Sequence, residues 1–561
     1  MAGHILTPSS IWGNFKTSKL EVAEVLGEYR DGDVVITRFY LNGKKAKDGQ
    51  VKIYCAMARN TKVETAPGVF IVQDFKDGAD ETFATYLAKK GYTSFVFDIG
   101  GDKGVNGNNT IYPQSLSFAN YKNCKDKLFE VENSVTKTCW YEWGSVARYA
   151  YRYFKSQAFI RKMGVLGVGE AATVAWQLIG TEKDVDCAVF AMNAGWSAYK
   201  NEYKFGKAIE ENLSDEQLMY IAGVEPQSYA PLIKCPTLVV APTNSERFDI
   251  DRANDTITRI PADVYTAISY SVGLTRAVGV SAVKNIDIFF NKFLQDGKDI
   301  TLPQGIELKS QIENGKIQIQ VTPDAEQLKN VCVYVAEQTI EPSLRCWNKI
   351  TDKEKKGNCY TFNYAPYSKS GMIIYFATAE YKNGFSVSSV ILSKKFTEDI
   401  VNTTYKDNVV YSSRLQNSLS VFTSAQESGG RPTGVRLGSE NVVKELVGPM
   451  SIKGANCYGG LLTFKMNADK YKPKDDAILM FDIFVKENTE GVVKLLANYF
   501  GEKIEYVAKV KLTGGQIWHN VKLELKQFKT AEGMGLRDYS KIQAIEIDAN
   551  GEYLVNNILW V

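Results

Sequence analysis

One stretch limits the fold more than any other: Met163-Gly164-Val165-Leu166-Gly167-Val168-Gly169-Glu170-Ala171-Ala172-Thr173-Val174-Ala175-Trp176. An apolar run ends in a tight turn of small residues, and a helix-forming segment follows at once. A short continuous apolar run of this kind suits a strand buried on both faces. The pattern therefore predicts a parallel strand that turns sharply into a helix packed back on the sheet.

The flanking sequence repeats that grammar. Val69-Phe70-Ile71-Val72, Ser94 to Asp98, Asp186 to Ala191, Pro236 to Ala241 and Val264 to Ile268 read as further strands. Helical spacing lies between them at Thr82 to Leu87 and Tyr141 to Phe154, and after them through Ile286, Phe289, Phe290 and Phe293. Strands alternating with helices predict a mostly parallel sheet flanked by helices. Ahead of it, Val34 to Tyr40 and Val51 to Ala56 read as a hairpin around Asn42-Gly43. The loop Lys103 to Lys137, rich in Asn, Tyr and Lys, is a candidate lid.

After Asp299 the pattern changes to alternating strands: Gly305 to Lys309, Lys316 to Val321, Val331 to Val335 and Gly371 to Phe376. Their length and turn spacing suit an immunoglobulin-like sandwich. A third all-β stretch has strands at Leu461 to Lys465, Ala477 to Ile483, Val492 to Leu496, Gln516 to Leu525, Ile542 to Ile547 and Tyr553 to Trp560, which suits a jelly roll. A chain of 561 residues is too long for one core. The expected division is residues 1–299 as the α/β domain, 300–397 as the immunoglobulin-like sandwich and 398–561 as the jelly roll.

Composition excludes several functions. A net charge of +3 without a Lys/Arg block argues against nucleic acid as partner. No apolar run is long enough to span a membrane. Nine cysteines without a C-x-x-C pair suggest free, mostly buried thiols. Met1 to Ser10 has no basic stretch followed by an apolar core, so no signal peptide is visible, which points to the cytoplasm. The two histidines, His4 and His519, leave almost nothing for a His base or a His-rich metal site. No metal and no cofactor is expected. Gly164, Gly167 and Gly169 lack the spacing of a dinucleotide fingerprint.

Residues 30–297 resemble the α/β-hydrolase superfamily, closest to its acetyl-xylan-esterase and dienelactone-hydrolase-like branches. Pro67 to Asp74, Gly91 to Gly101, Gly164 to Ala172 and Cys235 to Asn244 carry the likeness. It implies a Gly-x-Ser-x-Gly elbow, an acid and a histidine. The elbow reads Gly167-Val168-Gly169-Glu170-Ala171, so the serine position holds Gly169. The acid position falls on Ser245, beside Glu246, and the histidine position near Leu274 or Thr275. The oxyanion loop corresponds to Gln73-Asp74-Phe75, where a carboxylate would oppose a developing anion. A serine needs a base and a base alone attacks nothing, so losing both removes acyl hydrolysis by the usual route.

Glu170 is the remaining candidate nucleophile or base at the elbow, with Ser145 behind it; the plainer readings are a helix-start carboxylate and a helix residue. Asp98 and Asp102 read as loop caps. Asp249, Asp251 and Asp255 lack a calcium-loop pattern and read as a solvated face.

Residues 405–561 resemble jelly-roll carbohydrate-binding modules, most clearly from Trp518 to Leu525 and at Asn556 to Trp560. The resemblance implies a polysaccharide ligand, with Tyr458, Tyr499, Tyr506 and Trp518 as candidate aromatic contacts; core packing is the plainer role for each. It also points outside the cell, against the missing signal peptide. The expectation is a binding or scaffolding protein on a degenerate α/β-hydrolase, with a polysaccharide or protein partner. The rivals are a carbohydrate esterase with a displaced nucleophile and a structural assembly protein. Oligomeric state is not set by the sequence.

Overall fold

The computed structural model describes residues 5–102, 107–199, 202–206, 213–397, 403, 407–415, 419, 422–425, 436–439, 443–457 and 459–561. A sheet of nine strands forms the N-terminal region: β1 (Val22–Asp31), β2 (Val34–Ala46), β3 (Gly49–Asn60), β4 (Ala66–Val72), β5 (Thr93–Phe97), β6 (Ile160–Val168), β7 (Cys187–Ala191), β8 (Thr237–Pro242) and β9 (Thr266–Ser271). Its order is β1-β2-β3-β5-β4-β6-β7-β8-β9. β1 to β3 pair antiparallel, β3 pairs β5 antiparallel, and β5, β4, β6, β7, β8 and β9 run parallel. This is an α/β-hydrolase-like mixed sheet.

Two cores lie on opposite faces of the sheet. Trp140, Trp143 and Ala147 of the helix Cys139–Lys155 and Val174 and Trp176 of the helix Ala172–Thr181 cover one face. Ala84 and Leu87 of the helix Thr82–Lys89 and Ile286, Phe289 and Phe290 of the helix Val280–Leu294 cover the other. The continuous apolar runs of β4, β5 and β7 are nearly wholly buried, as strands covered on both faces must be.

Asn42-Gly43 is not the hairpin turn. β2 runs through it with a register shift, and the turn is Lys47-Asp48, between paired Ala46 and Gly49. Leu41, Val51 and Ile53 are buried on either side. Keeping them in the core favours extending the ladder past the turn dipeptide.

Residues 307–396 form two antiparallel sheets, one of four strands and one of five. Ile317, Ile319 and Phe362 of the first pack with Val333, Val335 and Ile373 of the second. This sandwich covers β9, the free edge of the large sheet. Ser388 Oγ accepts the Tyr270 N–H at 3.2 Å, Asn285 exchanges hydrogen bonds with Ser386, and Tyr270 meets Phe376 edge-on. Covering the edge removes a site for strand addition.

The C-terminal region is a second pair of antiparallel sheets, with Phe481, Ile483 and Val555 facing Leu495, Ile545 and Ile547 in one core. The strand Ala277–Gly279 pairs in parallel with Arg436–Ser439, joining this region to the first. Among the described residues no helix is long and apolar enough to cross a membrane.

Candidate functional site: the cavity above the Gly169 elbow

The loops after β4, β6, β7, β8 and β9 converge at the C-terminal ends of the parallel strands, where open α/β sheets place their sites. At the centre is the turn after β6. Gly167 lets the following helix lie close: a Cβ there would come within 2.8 Å of Ala172 Cβ and 2.9 Å of Ala175 Cβ. Gly169 has φ +66°, a left-handed conformation, and its N–H donates to Ala191 O at 2.9 Å. The chain thus makes the sharp strand-to-helix turn of a nucleophile elbow.

The space that a nucleophile would need is filled. A Cβ on Gly169 would lie 2.1 Å from Asp74 Oδ2. Asp74 is 2% exposed, and the same Oδ2 accepts the Glu170 N–H at 3.1 Å. In an acyl hydrolase, the N–H following the nucleophile stabilises the oxyanion. Here that donor is held by a carboxylate from the oxyanion loop.

The other positions that the resemblance singled out are just as firmly built in. Ser245 is buried, and its Oγ accepts the Arg247 N–H at 3.1 Å. Glu246 Oε1 is paired with Arg276 Nε at 2.9 Å. Leu274 and Thr275 are buried, and Leu274 O accepts the Asn244 N–H. Asn244 Nδ2 in turn donates to Ser343 O and Arg345 O of the adjoining sandwich. His519 bonds Thr513 O on the C-terminal region, and His4 lies outside the described residues. Ser145 is 1% exposed within its helix, out of reach of a ligand.

Asp98, Asp249, Asp251 and Asp255 have clear structural roles. Asp98 accepts N–H bonds from Gly100, Gly101 and Thr110, which is loop capping; burial pushes its carboxyl up to about 6. The cluster Asp249, Asp251 and Asp255 is not a solvated face. Asp249 caps the helix Ile250–Ile257, Asp255 pairs with Lys204, and Asp251 is wholly buried against Arg345. Contacts from a distant segment decide this, and local charge spacing cannot show them.

Above the elbow lies a cavity of about 480 Å³. The first region contributes Glu170 and Lys76, with Asn193 to Ser197, Tyr199, Glu202 and Tyr203. The loop anticipated as a lid supplies Tyr121, Lys125, Leu128 and Phe129. Two walls come from far along the chain: Glu341 to Ser343, and Phe500. Nothing near the elbow motif signals those two; Trp196, just past β7, sits where the topology would have pointed.

Burial and neighbouring charge tune this wall. Burial and Arg247 lower the Lys76 ammonium's affinity for its proton, against Asp74 and Glu170. Burial, with Glu170 and Asp74 nearby, pushes the Tyr121 hydroxyl up to about 12. Trp196 has φ +68°. It is held there by the buried Glu225 carboxylate, which accepts the N–H groups of Trp196, Ser197 and Ala198 at 2.6, 2.7 and 3.2 Å. A buried anion with this many donors fixes the loop rigidly.

The C-terminal aromatic candidates do not converge. Tyr499 packs on Phe464 and Phe500, against Leu344 of the sandwich. Tyr506 is half-buried on the strand Ile504–Leu512. Trp518 is half-buried on Trp518–Leu523, in the opposite sheet, and its Nε1 donates to Pro449 O at 3.1 Å. Tyr458 lies outside the described residues. Among the described residues, no group of three His, Cys, Asp or Glu side chains could hold a metal ion.

No family model and no curated protein matches the chain. Solved structures do match it. The acetyl xylan esterase from Paenibacillus sp. R4 is 10% identical with a TM-score of 0.38, covering 51% of this chain and 92% of that one. Acetyl xylan esterase 1 from Thermoanaerobacterium sp. JW/SL YS485 is 11% identical with a TM-score of 0.33, covering 48% and 89%. The acylaminoacyl peptidase of Pyrococcus horikoshii is 13% identical with a TM-score of 0.33, covering 50% and 52%. The strand order β1-β2-β3-β5-β4-β6-β7-β8-β9, independent of these overlaps, is α/β-hydrolase-like.

Proposed function

We propose that this chain is a binding protein built on an α/β-hydrolase scaffold that has lost acyl hydrolysis, and that its partner is a polysaccharide or a glycosylated protein. One observation carries the reading: the Asp74 carboxylate occupies the place of a side chain at residue 169 and holds the Glu170 N–H. A tetrahedral intermediate would meet a negative charge where it needs a donor. The lack of any histidine between His4 and His519 supports the same conclusion. The division at 1–299, 300–397 and 398–561, the immunoglobulin-like middle domain and the carbohydrate-module-like C-terminal domain belong to this proposal. So do sugar contacts by Tyr499, Tyr506 or Trp518, of which Tyr506 and Trp518 lie on different sheets and Tyr499 in a turn.

Two measurements on the full chain test it. Turnover of p-nitrophenyl acetate is expected to match a heat-killed control; activity abolished by Glu170→Gln would overturn the reading. Affinity electrophoresis in gels carrying plant or bacterial polysaccharides is expected to show retention. A blank across the panel would favour an assembly role.

A further inference from the structure

The geometry points to an uncharged saccharide held on the outer face of the C-terminal region, at a row of side chains centred on Asp482. This rests on the polysaccharide reading above and gives it a site, apart from the cavity above Gly169. Leu479, Phe481 and Ile483 of the strand Leu479–Val485 enter the core, so Met480 and Asp482 between them face outward. The strands beside it in the sheet are Trp518–Leu523 and Tyr553–Trp560. On the first, Asn520 lies directly opposite Asp482, and its Nδ2 donates to Asp482 Oδ1 at 2.9 Å. On the second, the register slips between Met480 and Asp482, and Asn557 sits within the slip at φ +47°. Asparagine takes this left-handed backbone more readily than most residues with a side chain. The bulge re-aims its amide, whose Nδ2 donates to Asp482 Oδ2 at 2.8 Å. Packing has no need of a polar side chain turned outward at a backbone cost; a ligand does.

The row has hydrogen-bonding capacity left over. A carboxylate only accepts, so both amides must turn N–H groups toward it. One N–H remains on each amide, together with the Asn520 carbonyl oxygen, while Asn557 Oδ1 accepts the Ser412 hydroxyl at 3.0 Å. Three adjacent strands set these groups roughly 4.8 Å apart, near the spacing of hydroxyls on alternate carbons of a pyranose. Donors and acceptors side by side suit hydroxyls, which both give and take. The row lines a cavity of about 410 Å³, within the range of small-molecule sites, roughly 300–1,000 Å³. Met480 and Leu559 give it apolar surface for C–H groups. One carboxylate, Asp482, and one guanidinium, Arg414, line it, so it carries no net charge. A uronate would bring its carboxylate to Asp482, and an amino sugar would bring its ammonium to Arg414 and the amide N–H groups; each is disfavoured.

Calorimetry on the full chain at pH 6 tests this, with cellohexaose, xylohexaose and mannohexaose as neutral probes and the hexamers of galacturonate and glucosamine as charged ones. The best neutral probe is expected to bind about tenfold tighter than either charged one. Asn557→Gly keeps the left-handed backbone and removes the amide. Asn520 is exposed, so Asn520→Ala removes its amide from a fold left intact. Each variant is expected to weaken the best neutral probe about five- to tenfold, with thermal unfolding confirming that it is folded. The inference falls if all three neutral probes are silent, if a charged probe binds as tightly as the best neutral one, or if Asn520→Ala leaves binding unchanged. Retention on polysaccharide gels alongside any of those results would leave the binding reading standing with its site elsewhere. Blank gels together with silent probes would remove both.

Discussion

The Asp74 carboxylate fills the space that a side chain on Gly169 would need: a Cβ on residue 169 would lie 2.1 Å from Asp74 Oδ2 and 2.9 Å from its Cγ. Restoring serine to the elbow must therefore displace a buried carboxylate and place a side chain at φ +66°. Gly169→Ser is expected to destabilise the α/β region by about 3 kcal/mol, and to yield no esterase. Combined with Asp74→Ala, the serine should cost only its backbone strain, about 1–2 kcal/mol. Urea denaturation of the four proteins in the cycle measures the coupling. Additive costs, within about 0.5 kcal/mol, would show that the two groups do not compete.

A second pair joins two regions. Arg345 Nη1 and Nη2 donate to Asp251 Oδ1 and Oδ2 at 2.5 and 2.6 Å, and both side chains are wholly buried. Removing one partner strands a charge. Asp251→Ala is expected to cost about 3–5 kcal/mol, and Arg345→Met a similar amount. Asp251→Leu with Arg345→Met should cost clearly less than either single change. The thermal midpoints of the three variants decide it. A double variant worse than both singles would contradict this account.

Much of this was legible in the sequence, for a physical reason. β4, β5, β7 and β8 are short and buried, so their central residues appear as apolar runs; β9, at Thr266–Ser271, mixes polar with apolar residues and ends three residues beyond the expected Ile268. Loss of the serine–histidine pair followed from Gly169 and a histidine count. β1 was missed because its residues are almost all exposed and leave no burial pattern. Asp74 was placed in the oxyanion loop, but its carboxylate's seat in the space above Gly169 depends on how two loops meet. The burial of Asp251 and the cavity walls from Glu341 and Phe500 depend on partners distant in sequence, which local periodicity cannot encode.

Trp518 belongs mainly to the fold. Its ring lies against Gly448 and Gly454, whose added Cβ atoms would meet it at 3.0 and 2.9 Å, and its indole bonds Pro449 O. Trp518→Ala is expected to cost about 2 kcal/mol, less than a fully buried tryptophan because one face is open. Trp518→Phe should recover most of the packing without the hydrogen bond. Denaturation of the C-terminal region reads both, and a loss below about 0.5 kcal/mol for alanine would refute the structural role.

Asp98 should make stability depend on pH. Burial holds its carboxyl at about 6 against an ordinary 3.8, despite three backbone donors. Between those two values the unfolded chain has released a proton that the folded chain still holds. Folding then takes up a proton, and stability falls as pH rises through the window, by about 3 kcal/mol from this group. Above about pH 6 both states are ionised and the penalty is complete. Asp98→Asn removes the titration while perturbing the loop by an amount that does not vary with pH. The wild type's advantage over the variant is therefore expected to be larger at pH 4 than at pH 7. Unfolding free energies across that range give the answer, and a constant difference would mean that Asp98 does not titrate there.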